Sequence, residues 1–402
     1  MSGGDDSQRR KATRVVRGGR RAEWTGPVVN VPVWRGSTHL YEKDADRRAA
    51  GTNNTDGQFF YGRRGAPTQW SLAEALTTIE QGAAGTVLYP SGVAAIAGCM
   101  LAVLKPGDRL LMADNAYDPS RSMATGLLKR LGVETVFFDP LDLDAYRALF
   151  ASPVRGVWLE SPGSLTFEVC DLPALAAIAR EHGAISMIDN TWASPLGLAA
   201  LEHGCDIVMM SLSKHVGGHS DIMMGSASAG ARWYGALRRT AQELGQVVSP
   251  DDAALAARGL RTMAVRLEAQ SRSAVAIAEW LSQQPQVERV LCPMLPDDPG
   301  HELWARDFTG GCGLFAFVLA SDDADAAARV ADRLELFGIG YSWGGYESLV
   351  LPISPQDHRS VMGNRVGGRP ALRLSIGLED PADLIADLGQ ALAQALAQGE
   401  PV

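Results

Sequence analysis

Long hydrophobic runs are missing from this sequence. The longest mostly apolar stretch, residues 93–104, is interrupted by Gly98 and falls short of the roughly 18 to 20 residues that a bilayer-spanning helix needs. No membrane span is expected. The first twenty-one residues are polar and basic (Arg9, Arg10, Lys11, Arg14, Arg17, Arg20, Arg21) and lack the apolar core of a secretory signal. Cysteine is sparse. Cys99, Cys170, Cys205, Cys292 and Cys312 are scattered, odd in number and without CxxC or CxxH spacing. That pattern excludes a disulfide framework or a zinc motif and indicates free thiols in a reducing compartment, so the cytoplasm is the expected location. A basic excess is missing as well: 37 Lys+Arg stand against 46 Asp+Glu, for a formal net charge of -9. No nucleic-acid partner is expected of such a chain. The basic N-terminal stretch suits contact with an anion or nucleic acid, but the favoured reading is a solvated terminus or an arm lying on another subunit. GxGxxG, GxxxxGKS/T and HExxH are all absent, which leaves no motif for a dinucleotide, a nucleoside triphosphate or a catalytic zinc ion.

What is present is an ordinary globular balance, with 46% hydrophobic and 21% charged residues over 402 positions. That is enough for a large core and two to three structural units. Residues 1–64 carry no long periodic segment and are expected to form an N-terminal arm. At Ser71 the texture changes: Ser71 and Glu74 have capping-box spacing and Leu72, Leu76 and Ile79 recur at helical intervals, so a helix is predicted to start there. Short apolar runs then follow at 86–89, 109–112, 135–138, 156–159, 185–188 and 207–210, most of them separated by helical stretches such as 172–181. Strands that are apolar throughout and spaced by helices imply a mostly parallel sheet covered on both faces, an α/β unit over 65–259. Beyond it the order changes: a helix over 264–283, a strand over 314–319, a helix over 322–337, a strand over 371–376 and a closing helix after Asp380-Pro381. Residues 260–402 therefore read as a smaller α+β domain.

Ligands of open α/β sheets bind beyond the carboxyl ends of the strands, and four such ends carry unusual residues. Tyr89-Pro90-Ser91-Gly92-Val93 breaks a strand into a helix start whose free N–H groups suit a phosphate, or an ordinary cap. Asp189, closing 185–188, is costly to bury unpaired; taken alone it is a loop cap or a metal ligand, and no cluster of acids and histidines accompanies it. Lys214 follows the run 207–210 with Ser211 and Ser213 alternating beside it, which is either a covalently used, Schiff-base lysine or a surface lysine. His215 and His219 are spaced i,i+4, but the intervening Gly217-Gly218 speaks against a helical metal pair. Arg373 alternates with Leu372 and Leu374 on a strand and is either a bidentate carboxylate clamp or half of an internal ion pair. Together the four supply what pyridoxal phosphate chemistry on amino acids requires: a covalent lysine, an acid for the ring nitrogen, a phosphate seat and a carboxylate clamp.

At this point the sequence resembles the Cys/Met-metabolism family of pyridoxal-phosphate enzymes. The resemblance runs from about residue 30 to near the end and rests on Tyr61-Gly62-Arg63-Arg64-Gly65, Ala116-Tyr117-Asp118-Pro119-Ser120, Leu159-Glu160-Ser161-Pro162-Gly163-Ser164, Ile188-Asp189-Asn190-Thr191-Trp192, Ser213-Lys214 with Gly218-His219-Ser220-Asp221, and Tyr341-Ser342-Trp343-Gly344-Gly345-Tyr346-Glu347-Ser348. It implies fold type I, with a mostly parallel seven-stranded sheet between helices, and pyridoxal 5'-phosphate as cofactor. By the same resemblance Lys214 carries the cofactor, Asp189 bonds its ring nitrogen and Tyr117 stacks on the ring. Gly92, Val93, Ser211 and Ser213 hold the phosphate, with Tyr61 and Arg63 reaching in from a neighbouring subunit of a homotetramer built as a dimer of dimers. Arg373 binds the substrate α-carboxylate, beside Tyr341, Ser342 and Trp343, and Tyr117 and Tyr61 join Lys214 as candidate catalytic groups. The Tyr-Ser-Trp-Gly-Gly segment is similar to that of the β-lyase branch. It implies β-elimination from cystathionine or a related S-substituted cysteine to give homocysteine, pyruvate and ammonia. Three features depart from close relatives: Ser213 stands where Thr is common, His215 where Tyr is common, and Gln242 where some β-lyases carry Tyr. Two other readings stay open: a γ-lyase or γ-synthase of the same family, and a pyridoxal-phosphate-binding regulatory protein with weak activity.

Overall fold

Runs of Val, Ile, Leu and Met bury both faces of an extended chain, so they settle inside a sheet that has helices above and below it. The computed structural model, which describes residues 9–52, 55–363 and 367–396, turns six such runs into strands. These are β1 (Gly85–Tyr89), β2 (Arg109–Ala113), β3 (Glu134–Phe138), β4 (Gly156–Glu160), β5 (Ile185–Asp189) and β6 (Ile207–Ser211). Each is one residue longer than its expected run. A further strand, β7 (Gly225–Ala229), has the sequence Gly-Ser-Ala-Ser-Ala and no apolar run to announce it. It is buried throughout and antiparallel to both β1 and β6. The seven strands take the order β1-β7-β6-β5-β4-β2-β3, and β2–β3, β2–β4 and β4–β5 pair in parallel. This is the expected α/β class, with β7 as the antiparallel member.

The chain groups into two compact units, Met1–Val103 with Ala199–Ala264, and Leu104–Leu198 with Val265–Val402. The first contains β1, β6 and β7. Its N-terminal stretch forms the short helices Lys11–Arg17, Ala22–Thr25 and Asp44–Thr52; the first eight residues of the expected arm lie outside the described residues. The helix Lys11–Arg17 is held to the body of its own unit, where Arg14 donates to the Thr78 carbonyl at 3.1 Å and Arg261 to the Val15 carbonyl at 2.8 Å. The helix expected from Ser71 starts a turn earlier, at Pro67. Proline suits the first helical position because its missing N–H has no partner there anyway, and Gln69 turns back to accept the Ala66 N–H at 3.2 Å. Ser71 is thereby freed to donate to the Gly19 carbonyl at 2.7 Å, and Glu74 pairs with Arg21.

The second unit contains β2 to β5 and a five-stranded sheet of β8 (Val287–Leu291), β9 (Leu314–Leu319), β10 (Gly338–Ile339), β11 (Leu349–Ile353) and β12 (Ala371–Ser375), in the order β10-β11-β12-β9-β8. Only β9 and β12 were expected. Pro352 disguises β11, and it is tolerated because β10 pairs no further than Leu349 and Val350. The helix expected over 322–337 is cut to Ala326–Ala331. The carboxylate of Asp387, on the closing helix Pro381–Leu396, accepts the Glu335 and Leu336 N–H groups at 2.9 to 3.1 Å and draws that backbone out of the helical path. Leu384, Leu388 and Leu392 of the closing helix are buried, as are Leu372, Leu374 and Ile376 around β12. All five cysteines are buried, and none forms a disulfide. No helix among the described residues is long and apolar enough to cross a membrane.

Candidate active site

In the first unit the site is a seat of small residues at the ends of β1 and β6. Leaving β1, the chain turns at Pro90-Ser91 into the helix Gly92–Val103, where Ser91 Oγ accepts the Ala94 N–H at 3.1 Å. A Cβ on Gly92 would lie 2.9 Å from Ser211 Oγ, so only glycine lets the helix start approach the end of β6 this closely. On the other side, a Cβ on Gly225 would meet the Ser91 carbonyl oxygen at 2.4 Å. The glycine that opens β7 therefore follows from how near the turn sits to the sheet. Past Ser211, the Leu212 N–H donates to the Met224 carbonyl at 2.9 Å, and Ser213 Oγ both accepts the Met224 N–H at 3.0 Å and donates to its carbonyl at 3.2 Å. The Gly218 N–H closes the turn onto the Lys214 carbonyl at 2.8 Å. Lys214 is thus carried on a backbone fixed from two sides. Val93 is exposed at the helix start. Tyr61 and Arg63 are also exposed, and Arg63 donates to the Gln242 carbonyl at 3.1 Å.

In the second unit Tyr117, Asp189, Glu160 and Arg373 come together. Asp189 ends β5, and its Oδ1 accepts the Thr191 N–H at 3.0 Å and the Thr191 hydroxyl at 2.5 Å. The Tyr117 N–H donates to Glu160 Oε2 at 2.7 Å. Burial first, then the Asp189 carboxylate, pushes the Tyr117 phenol above its ordinary range, with Arg373 opposing; the hydroxyl keeps its proton at neutral pH. Burial lowers the Arg373 guanidinium to about 10, which leaves it charged at neutral pH. Its Nη2 donates to the Ser342 carbonyl at 2.9 Å, while its Nε is buried without a hydrogen-bond partner among the described residues. Ser342 adopts φ +79 and Gly344 φ +83. This bend is pinned by the Gly344 N–H on Ser375 Oγ at 3.2 Å and by Gln270 on the Gly345 carbonyl at 2.6 Å. A left-handed serine costs backbone energy that its surroundings must repay, and here the bend brings the Ser342 carbonyl to Arg373. Trp343 is partly buried, and Tyr341 is 87% exposed.

Two acids at this end went without a role in the sequence reading, Glu160 and Asp114. Asp114, just past β2, is fully buried. Its carboxylate accepts from Arg121 at 2.7 Å, from the Ser360 hydroxyl at 2.6 Å, and from the Ser360, Val361 and Met362 N–H groups at 2.8 to 3.0 Å. It ties the segment before β12 to the helix Asp118–Met123 that Tyr117 opens. Burial alone would raise its pKa, but the donors outweigh burial and bring it to about 2. Since the folded value lies below the unfolded value near 3.9, the stabilisation is complete above about pH 4 and is lost as the pH falls toward 2. Asp114→Asn is expected to remove about 2 to 3 kcal/mol at pH 7 and to flatten the acid limb of the stability curve. Urea unfolding at pH 7 and near pH 2 checks this, and an equal loss at both would contradict it.

With this geometry in view, the chain matches the family described as Cys/Met metabolism PLP-dependent enzyme over residues 12–393. It is 43% identical over 388 residues to cystathionine beta-lyase of Escherichia coli (strain K12), covering 95% of this chain and 98% of that one. It is 41% identical over 394 residues to cystathionine beta-lyase of Salmonella typhimurium (strain LT2), covering 95% and 98%. Among solved structures, cystathionine gamma synthase from Xanthomonas oryzae pv. oryzae in complex with cystathionine superposes with a TM-score of 0.87 at 33% identity, over 96% of this chain and 99% of that one.

Proposed function

This chain belongs to the family of Cys/Met metabolism PLP-dependent enzymes, and we propose that it is a carbon–sulfur lyase that splits L-cystathionine, and related S-substituted cysteines, by β-elimination. The observation that carries the reading is the Arg373–Ser342 contact. It makes the carboxylate clamp and the Tyr341-Ser342-Trp343 segment one piece of structure, so the group that orients the amino acid also borders the segment that marks the β-lyase branch.

The residues fit pyridoxal 5'-phosphate. A Cβ at Gly92 would close the gap between the helix start and Ser211 Oγ, and the Arg373 Nε, buried without a partner among the described residues, is a donor still to be used. When bound, the cofactor supplies an electron sink for the substrate's Cα. Lys214 would hold it covalently through Nζ and, once the substrate's amine has displaced that nitrogen, the freed Nζ would carry the proton from substrate Cα to the leaving sulfur. Asp189 would hold the proton on the pyridine nitrogen. Tyr117 would cover the ring and, with Tyr61, assist proton movement; Gly92, Val93, Ser211 and Ser213 would seat the phosphate. Arg373 orients the α-carboxylate beside Tyr341, Ser342 and Trp343. With one water consumed, the products are homocysteine, pyruvate and ammonia.

Tyr61 and Arg63, exposed on this chain, are read as phosphate contacts for a neighbouring subunit in a homotetramer built as a dimer of dimers. Exposed apolar side chains in the same stretch, Leu40 at 92% and Val29 at 65%, support an assembly role for an arm over 1–64, ahead of a cofactor-binding domain over 65–259 and a C-terminal domain over 260–402. Five buried cysteines without a disulfide among them support a cytoplasmic setting.

The test is to incubate the purified protein with pyridoxal phosphate and L-cystathionine and to identify the keto acid. Pyruvate with homocysteine is expected. Release of 2-oxobutyrate would place the chain with the γ-lyases instead.

A further inference from the structure

The parallel register of β4 and β5 ends on the pair Glu160↔Asp189. Paired residues of parallel strands point to the same face, on backbones about 4.8 Å apart. Two carboxyl groups held this way at the edge of a buried sheet repel as anions, so one of them keeps a proton. Their hydrogen bonds decide which. Asp189 Oδ1 receives both the N–H and the hydroxyl of Thr191, which solvate a negative charge. The Glu160 side chain has one hydrogen bond among the described residues, from the Tyr117 N–H at 2.7 Å, and no ion pair.

We propose that Glu160 carries the proton of this carboxyl pair, leaving Asp189 as the single anion, and that its Oε2 is the positioning contact for the backbone of Tyr117. The charged and titratable groups facing it are Asp189 from β5, Tyr117 ahead of the helix Asp118–Met123, and Arg359 from the segment before β12. Burial and then Asp189 push the Glu160 carboxyl well above the usual range, with the Tyr117 N–H and Arg359 opposing. The proposal rests on the roles assigned above to Asp189 and Tyr117, and it gives the family's strand-end acid a neutral neighbour that sets its charge.

The experiment uses the holoenzyme and infrared difference spectroscopy of the protonated-carboxyl stretch. A band is expected at pH 7 that Glu160→Gln removes. In Asp189→Asn, where the repelling charge is gone, the band should titrate away at lower pH than in the unmutated protein. Glu160→Gln exchanges one neutral group for another and should melt near the parent temperature. Absence of a Glu160-dependent band, an unmoved titration in Asp189→Asn, or a strongly lowered melting temperature in Glu160→Gln would each overturn the proton assignment. For positioning, Glu160→Ala should weaken the induced circular dichroism of the bound cofactor several-fold and Glu160→Gln, which keeps an acceptor, should restore it; equal signals would overturn that role. Keto-acid release by the unmutated enzyme is read separately. A band without release leaves the proton on Glu160 and removes the lyase reading, whereas release without a band does the reverse.

Discussion

Lys214→Ala is expected to lose keto-acid release from cystathionine by more than about 10⁴-fold, because one substitution removes both the covalent attachment and the group proposed to move the α-proton. The visible absorption of the covalently held cofactor should disappear with it. Folding should survive. The turn that presents Lys214 is built from backbone bonds and from Ser213, Leu212 and Met224, none of which uses the lysine side chain. Thermal melting together with an absorption spectrum checks this. A well-folded variant with turnover within about tenfold of the parent would remove Lys214 from the proposed role.

Arg373→Leu is expected to lower kcat/KM about a hundredfold or more, with most of the loss in KM. A buried charge-assisted clamp contributes chiefly to binding an anionic group that nothing else nearby neutralises. Stability should not fall. The loss of its Nη2 bond to the Ser342 carbonyl is offset because the guanidinium sits where burial disfavours its charge and its Nε has no partner among the described residues. Arg373→Lys should recover little, since an ammonium keeps the charge but lacks the planar fork. Steady-state kinetics with cystathionine, alongside melting curves, test both statements. An unchanged KM in Arg373→Leu would place the carboxylate elsewhere.

What the sequence made legible were features that need few neighbours. Apolar runs between helical stretches showed β1 to β6, because a strand buried on both faces must be apolar along its whole length. Lys214, Asp189 and Arg373 stood out because charge next to such runs is expensive without a purpose. Glu160 and Asp114 obeyed the same rule at the ends of β4 and β2 and could have been found by it. They were passed over because a single acid after a strand does not reveal what it will face.

Composition and local pattern thus determined the α/β class, the main strands, the free thiols and the strand-end residues suited to pyridoxal phosphate. Tertiary structure alone decided the rest. β7 begins on Gly225 because Ser91 and Ala95 leave no room there for a side chain. Pro67 displaced Ser71 as the helix start once Ser71 had Gly19 to bond. Asp114 became a clamp when residues some 246 positions away delivered their N–H groups, and Glu160 met Asp189 through register. The reason is common to all four: a backbone donor, a close approach and a paired charge belong to two segments at once, and neither segment encodes the other's position.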